Sequence, residues 1–147
     1  MESREIEGEH LKKDLLGKLD YMETLVDFIE ERSPQILTEY RNRLEDKVKE
    51  LLNNTAMEES RIAAEVTIYA DKICVDEETV RLRSHIHNTR NGLLSGESVG
   101  RKLDSLPGDE PEANTILSKS TDLSISDKAI ALKTEIEKVR EQIQNIE

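Results

Sequence analysis

The stretch DEETVRLRSHIH, residues 76–87, carries residue types that phosphate chemistry uses. On a helix turning about 100° per residue, Glu78, Arg81 and His85 fall within about 60° of one another, with Glu77 and Leu82 flanking. A carboxylate can hold a divalent cation or orient water, a guanidinium clamps phosphate, and an imidazole moves a proton. The same spacing also describes i,i+3 and i,i+4 ion pairing on a solvated helix face. Residue types alone leave both readings open.

Charge segregation adds weight to the phosphate reading. From Thr79 to Leu103 the basic residues are Arg81, Arg83, Arg90, Arg101 and Lys102, and the acid is Glu97, a local balance of +4. The whole chain carries −11, so an anionic backbone is repelled everywhere except at such a strip. A basic strip could equally meet an acidic partner helix. A second polar cluster follows in GRKLDSLPGDEPEANTILSKS, residues 100–120, where Asp104, Glu112, Asn114, Thr115 and Lys119 surround a Pro-Gly-rich breaker. Hard oxygen ligands beside cations suit metal-assisted phosphodiester cleavage, and they suit ordinary salt bridges as well.

Other chemistries find little support. Walker, HExxH, EF-hand and Cys/His zinc patterns are absent from the sequence. Cys74 is the only cysteine, which excludes an internal disulfide and fits a reducing compartment; between Ile73 and Val75 it reads as a small buried hydrophobe. With no Trp, one Phe and three Tyr, aromatic stacking on single strands is not expected to carry binding. His10 lies on a charged amphipathic segment and receives no role. The charged N-terminus lacks the apolar core of a signal peptide, and no apolar run spans a bilayer, so a cytoplasmic protein without membrane contact is expected.

Helices must position these side chains. Hydrophobic residues make up 35% and charged residues 36%, which permits narrow apolar stripes rather than a thick core. Leu15, Leu19, Met22, Val26 and Ile29, then Ile36, Tyr40, Leu44, Val48 and Leu51, recur by fours and threes. Ser33-Pro34 falls inside this stripe, giving one long kinked helix or two helices meeting near Pro34. A second helix is expected from about Met57 to Cys74 and a third from Asp76 through Leu94. The last runs from a Ser126-Asp127 cap along Ala129, Leu132, Ile136, Val139, Ile143 and Ile146. The fold class is all-α: an elongated bundle of long amphipathic helices with coiled-coil-like packing. Arms at 5–53 and 126–147 flank central helices over 57–120 in one helical domain. Seams this narrow call for a partner, so a homo-oligomer joined through the helical seams is expected.

The segments EVTIYADKICVDEETVRLRSHI, VGRKLD, EANTILSKS and ALKTEIEKVREQIQNIE resemble the C-terminal domain of the bacterial YicC family, in order and spacing, over most of residues 5–147. The resemblance implies a metal-dependent endoribonuclease of RNA turnover that assembles into ring-like oligomers around RNA. The polar positions that match are Glu65, Glu77, Glu78, Arg81, His85, Arg101, Asp104, Glu112, Asn114 and Lys119. On that basis His85 is the expected general acid or base, with Glu78, Asp104 and Glu112 completing the catalytic set. Glu65, Glu77, Glu78, Asp104 and Glu112 are the expected oxygen donors to a divalent metal, Mn²⁺ or Mg²⁺. Arg81, Arg83, Arg101, Lys102 and Lys119 are the expected RNA contacts.

Two departures from the family pattern lower the expected activity. The family's N-terminal domain is expected to be missing, since the resemblance starts near the middle of the family pattern. The stretch after Asp104, SLPGDEPEANT, is one residue shorter than the family motif; it keeps the acid at Glu112 and lacks the Gln-Glu and Asn-Arg that usually precede it. Prolines at 107 and 111 predict a loop in place of a continuous helix. This copy is therefore expected to be weak or inactive. The rival expectation is a non-enzymatic helical adaptor that gathers RNA or other RNA-decay enzymes.

Overall fold

A computed structural model describes the backbone of residues 2–51, 59–95 and 109–146, and the side chains of 8–51, 59–95 and 110–145. Among the described residues every element is a helix: α1 Glu2–Leu51, α2 Glu59–Ile73, α3 Asp76–Leu94, α4 Asp109–Lys119 and α5 Leu123–Ile146. The all-α expectation holds. Arg101, Lys102 and Asp104 lie outside the described residues.

The long helix α1 is a spine, about 75 Å at 1.5 Å per residue, along which α2, α3 and α5 lie. It runs unbroken through Pro34, so one helix, not two, is the outcome. Proline removes a donor and crowds the preceding turn. Here its ring faces solvent, and the buried side chains Ile29 and Ile36 anchor the helix on either side. The Ser33 hydroxyl, at the seam position the stripe skips, bonds back to the Ile29 carbonyl at 2.7 Å.

Ion pairs and hydrogen bonds fix the directions. Tyr69 of α2 stacks on Tyr40 of α1 at 4.0 Å between ring centres, so α2 folds back along the second half of the spine. Arg83 of α3 reaches Glu30 and Arg90 reaches Asp20, so α3 continues the antiparallel path along the first half. Asp122 at the start of α5 meets Arg32, and Gln142 near its end meets Asp14 at 2.7 Å. The helix α4 packs between α3 and α5.

The first half of α1, with α3, α4 and α5, encloses the apolar core. Leu15, Leu19, Met22, Val26 and Ile29 interlock with Leu82 and Ile86, with Ile116, and with Leu132, Ile136 and Val139. Each of these is a three- or four-residue step along its own helix, which is how a narrow stripe closes a four-sided core. Beyond Arg32, the described helix lying against the second half of α1 is α2. There the stripe loses cover: Tyr40, Leu44 and Val48 are half-buried, and Leu51 is 71% exposed.

Three local expectations are corrected. Cys74 is exposed, because it stands on the two-residue junction between α2 and α3, where Val75 turns inward instead. The cap of α5 is Asp122, whose carboxylate accepts from the Ile125 amide at 3.2 Å and from the Ser124 hydroxyl; Ser126 and Asp127 sit inside the helix. Pro111 is not in a loop but in the first turn of α4, where its missing N–H has no intrahelical acceptor to satisfy. Pro107 lies outside the described residues.

Candidate functional site

The α3–α4 interface carries the densest set of the expected site residues. Glu78, in the first turn of α3, is buried with Leu82 and Ile86 on the helix's inward face. Its Oε1 lies 3.6 Å from the Nζ of Lys119, the last residue of α4. The same ammonium donates to the Cys74 carbonyl at 3.1 Å, closing off the open end of α2. One turn further along α3, Arg81 Nη1 donates to Glu112 Oε1 at 3.3 Å, and its other terminal nitrogen lies 3.9 Å from Glu77. Glu112 is largely covered while Arg81 faces solvent. His85 stands on this ridge, one turn beyond Arg81, half-buried, with its backbone carbonyl accepting from the Thr89 hydroxyl at 2.7 Å.

Glu78, Arg81 and His85 on α3, and Glu112 and Lys119 on α4, thus form one face with two cross-helix ion pairs. Carboxylates and cations alternate across it, so a phosphate arriving there would exchange with a carboxylate already in place. Among the described residues no three His, Cys, Asp or Glu side chains lie close enough to hold a metal ion. Glu78 and Glu112 offer hard oxygens suited to Mn²⁺ or Mg²⁺. A third donor from Asp104 would lie outside the described residues.

Other expected residues lie elsewhere. Glu65 is exposed on α2, the helix that packs against the second half of α1, rather than beside the α3–α4 pairs. Arg83 faces the opposite way from Arg81 and forks onto the spine. Its Nε and Nη2 donate to the two Glu30 carboxylate oxygens at 2.9 and 2.8 Å, and Nη2 also donates to Asp27. Arg90 repeats the contact seven residues on, with Asp20 and Glu23 both at 2.9 Å. Arg83 holds the Glu30 carboxyl below its ordinary range, and the Arg83 guanidinium is itself pushed up by Glu30 and Asp27. The local +4 of the sequence is therefore partly spent inside the fold.

Sequence reasoning missed this ladder and one further node. Asp20, Glu23, Asp27 and Glu30 step by three, four and three along α1, and Arg83 and Arg90 are seven apart on α3. Matching those two periods would have paired them. The node is Arg32, which donates to both Asp122 oxygens at 3.1 and 3.3 Å and to both Glu39 oxygens at 2.8 and 3.1 Å. Its partner Asp122 is 90 residues away, and nothing in the local sequence pairs the two. A cavity of about 340 Å³ lies at the junction of α1, α2 and α3, lined by Pro34, Leu37, Ile73, Cys74 and Val75 among others, and it borders the Arg83–Glu30 pair through Glu30.

A family model described as "Endoribonuclease YicC-like, C-terminal" matches residues 29–147, most of the chain. The chain belongs to the YicC-like family. Among relatives, it is 41% identical over 148 residues to a protein named probable endoribonuclease YicC from Clostridioides difficile (strain 630), an alignment covering 99% of this chain and 50% of that one. It is 37% identical over 142 residues to another of the same name from Haemophilus influenzae, covering 96% and 49%. The chain spans about half the length of these YicC relatives. Its α3–α4 face lies wholly within the segment the YicC-like model matches.

Proposed function

We propose that this chain is an RNA-processing module of the YicC type that hydrolyses phosphodiester bonds with the help of a divalent cation. The observation that carries the reading is the α3–α4 face, where the Glu78–Lys119 and Arg81–Glu112 pairs join two helices inside the family-matched segment, with His85 one turn beyond Arg81. The names of the relatives support the RNA substrate. In this proposal Arg81 and Lys119 trade their carboxylate partners for phosphate oxygens, and Glu78 and Glu112 are thereby freed as oxygen donors. Asp104 is the further donor this reading calls for, and Arg101 and Lys102 are its further phosphate contacts. A divalent cation held there would polarise a phosphoryl oxygen and lower the pKa of a water. His85 takes the proton from the attacking oxygen or returns one to the leaving oxygen.

The proposal also places the protein in the cytoplasm, working as a homo-oligomer. Among the described residues no helix is long and apolar enough to cross a membrane. The poorly covered arm of α1 and α2, with Leu51 and Ile68 exposed, supports association through helical seams. That arm also favours a second reading: a non-enzymatic adaptor that gathers RNA or other decay enzymes.

The purified chain is incubated with a short hairpin RNA in Mn²⁺, in Mg²⁺ and in excess chelator. Cleavage in either metal that stops with chelator supports the hydrolase. RNA binding without cleavage under every condition supports the adaptor.

A further inference from the structure

Four consecutive residues, 119–122, join the α4–α5 turn to each of the other described helices, α1, α2 and α3. Lys119 holds Glu78 and the Cys74 carbonyl, tying the turn to α3 and the end of α2. The Ser120 hydroxyl donates to the Asp122 carbonyl at 2.8 Å and accepts from the Ser126 hydroxyl at 2.8 Å, closing the turn on α5. Thr121 shares a 2.6 Å hydrogen bond with the Tyr69 hydroxyl on α2. Asp122 receives the Arg32 fork from the spine.

We propose that Arg32 is a positioning residue for the α3–α4 face, acting through Asp122 on Lys119; the functional half of this rests on the hydrolase reading above. A guanidinium bonded to both oxygens of a carboxylate fixes direction as well as distance. The opposite edge of Arg32 is locked by Glu39, and its Nη1 reaches Gln35 at 3.2 Å, so the fork is braced along α1 before it meets Asp122. Asp122 lies three residues beyond Lys119, with a hydrogen-bonded turn between them. Lys119 must reach around the end of α4 to both Glu78 and the Cys74 carbonyl, so freedom gained by the turn passes directly to its ammonium. The α5 cap uses Oδ2, which also accepts from Arg32 Nε, while Oδ1 accepts from Arg32 Nη2, so the cap needs one oxygen and the fork needs both.

Asp122→Asn separates the two duties. Asparagine caps helices as well as aspartate, yet it cannot accept two bonds from a guanidinium fork. Amide hydrogen exchange is followed residue by residue on the full chain, as wild type, Asp122→Asn, Arg32→Ala, and Arg41→Ala, whose pair with Glu45 lies elsewhere on α1. The expected result is exchange about tenfold faster at residues 116–121 in Asp122→Asn and Arg32→Ala, with 125–127 unchanged in Asp122→Asn and no change in Arg41→Ala. Unchanged exchange at 116–121, or equal acceleration in Arg41→Ala, overturns the positioning role. RNA cleavage then follows in a double-mutant cycle: Arg32→Ala lowers kcat/KM about tenfold alone and has no further effect in a Lys119→Ala background. Additive losses contradict action through Lys119. A wild-type chain that cuts no RNA defeats the hydrolase reading alone, and the exchange result still decides whether Arg32 positions the turn.

Discussion

Lys119 and Glu78 meet across the α3–α4 interface with Nζ 3.6 Å from Oε1, the carboxylate covered and the ammonium partly in solvent. A buried carboxylate left without its cation loses more than the pair was worth, because its desolvation stays unrepaid. Lys119→Met is expected to lower unfolding free energy by about 1–3 kcal/mol, and adding Glu78→Gln should recover part of that loss. Urea denaturation of the two variants checks this. A double variant no more stable than Lys119→Met shows that the pair is incidental.

Arg83 was expected to bind RNA, and the structure commits it to Glu30 and Asp27 on the spine. Arg83→Ala should leave RNA affinity within about twofold of wild type, since this guanidinium is held on the spine between two carboxylates and is less exposed than Arg81. It should cost about 1 kcal/mol of stability for a partly exposed network, and less at high salt. Binding titrations at two salt concentrations, alongside denaturation, measure both. Arg81→Ala, on the opposite side of the same helix, should weaken RNA binding.

How far the sequence revealed all this depends on the kind of order involved. The stripes of α1 and α5 were legible because burial imposes one period over many residues, and Leu15 through Ile29 and Ala129 through Ile143 are buried as their spacing implied. Glu78, Arg81 and His85 were legible for the same reason, since one helix fixes their shared face. Pairings between helices were not. Arg32 with Asp122 depends on where distant helices cross, and Arg83 with Glu30 shows only when the periods of two separate helices are matched. Cys74 failed because its apolar neighbours suggested burial, while a two-residue junction decides each side chain singly. The Ser126-Asp127 cap failed because Asp122 offered an equal capping residue four positions earlier, fixed from outside by Arg32.

Acid should test the Arg32 tie. Arg32 and the α5 cap hold the Asp122 carboxyl down at about 2, well below the ordinary carboxylate value. A carboxyl depressed in the folded state adds stability above its unfolded pKa, about 4, and that stability is lost as pH falls through the folded value. The thermal midpoint of wild type should therefore drop between about pH 4 and pH 2. In Asp122→Asn the drop over this window should be shallower, starting from a lower midpoint at pH 6. Parallel acid limbs for the two proteins would count against a folded-state tie at Asp122.

Ile116 is the apolar contact that seats α4, fully buried between its flanking pairs Arg81–Glu112 and Lys119–Glu78. Ile116→Ala should destabilise by about 2–5 kcal/mol through lost transfer energy and an unfilled cavity. Because α4 carries half of the candidate face, RNA affinity should fall with it. Denaturation paired with an RNA titration tests both. A loss under 1 kcal/mol would mean that α4 is held by its ion pairs rather than by packing.

The most direct test of the central claim compares single-turnover cleavage of a hairpin RNA by wild type and His85→Ala, with divalent metal present and RNA binding measured in parallel. If the α3–α4 face does the chemistry, His85→Ala binds RNA as wild type does and cuts about 10²-fold or more slowly, the usual loss when a positioned acid or base is removed. Equal cleavage rates for the two proteins would contradict the account.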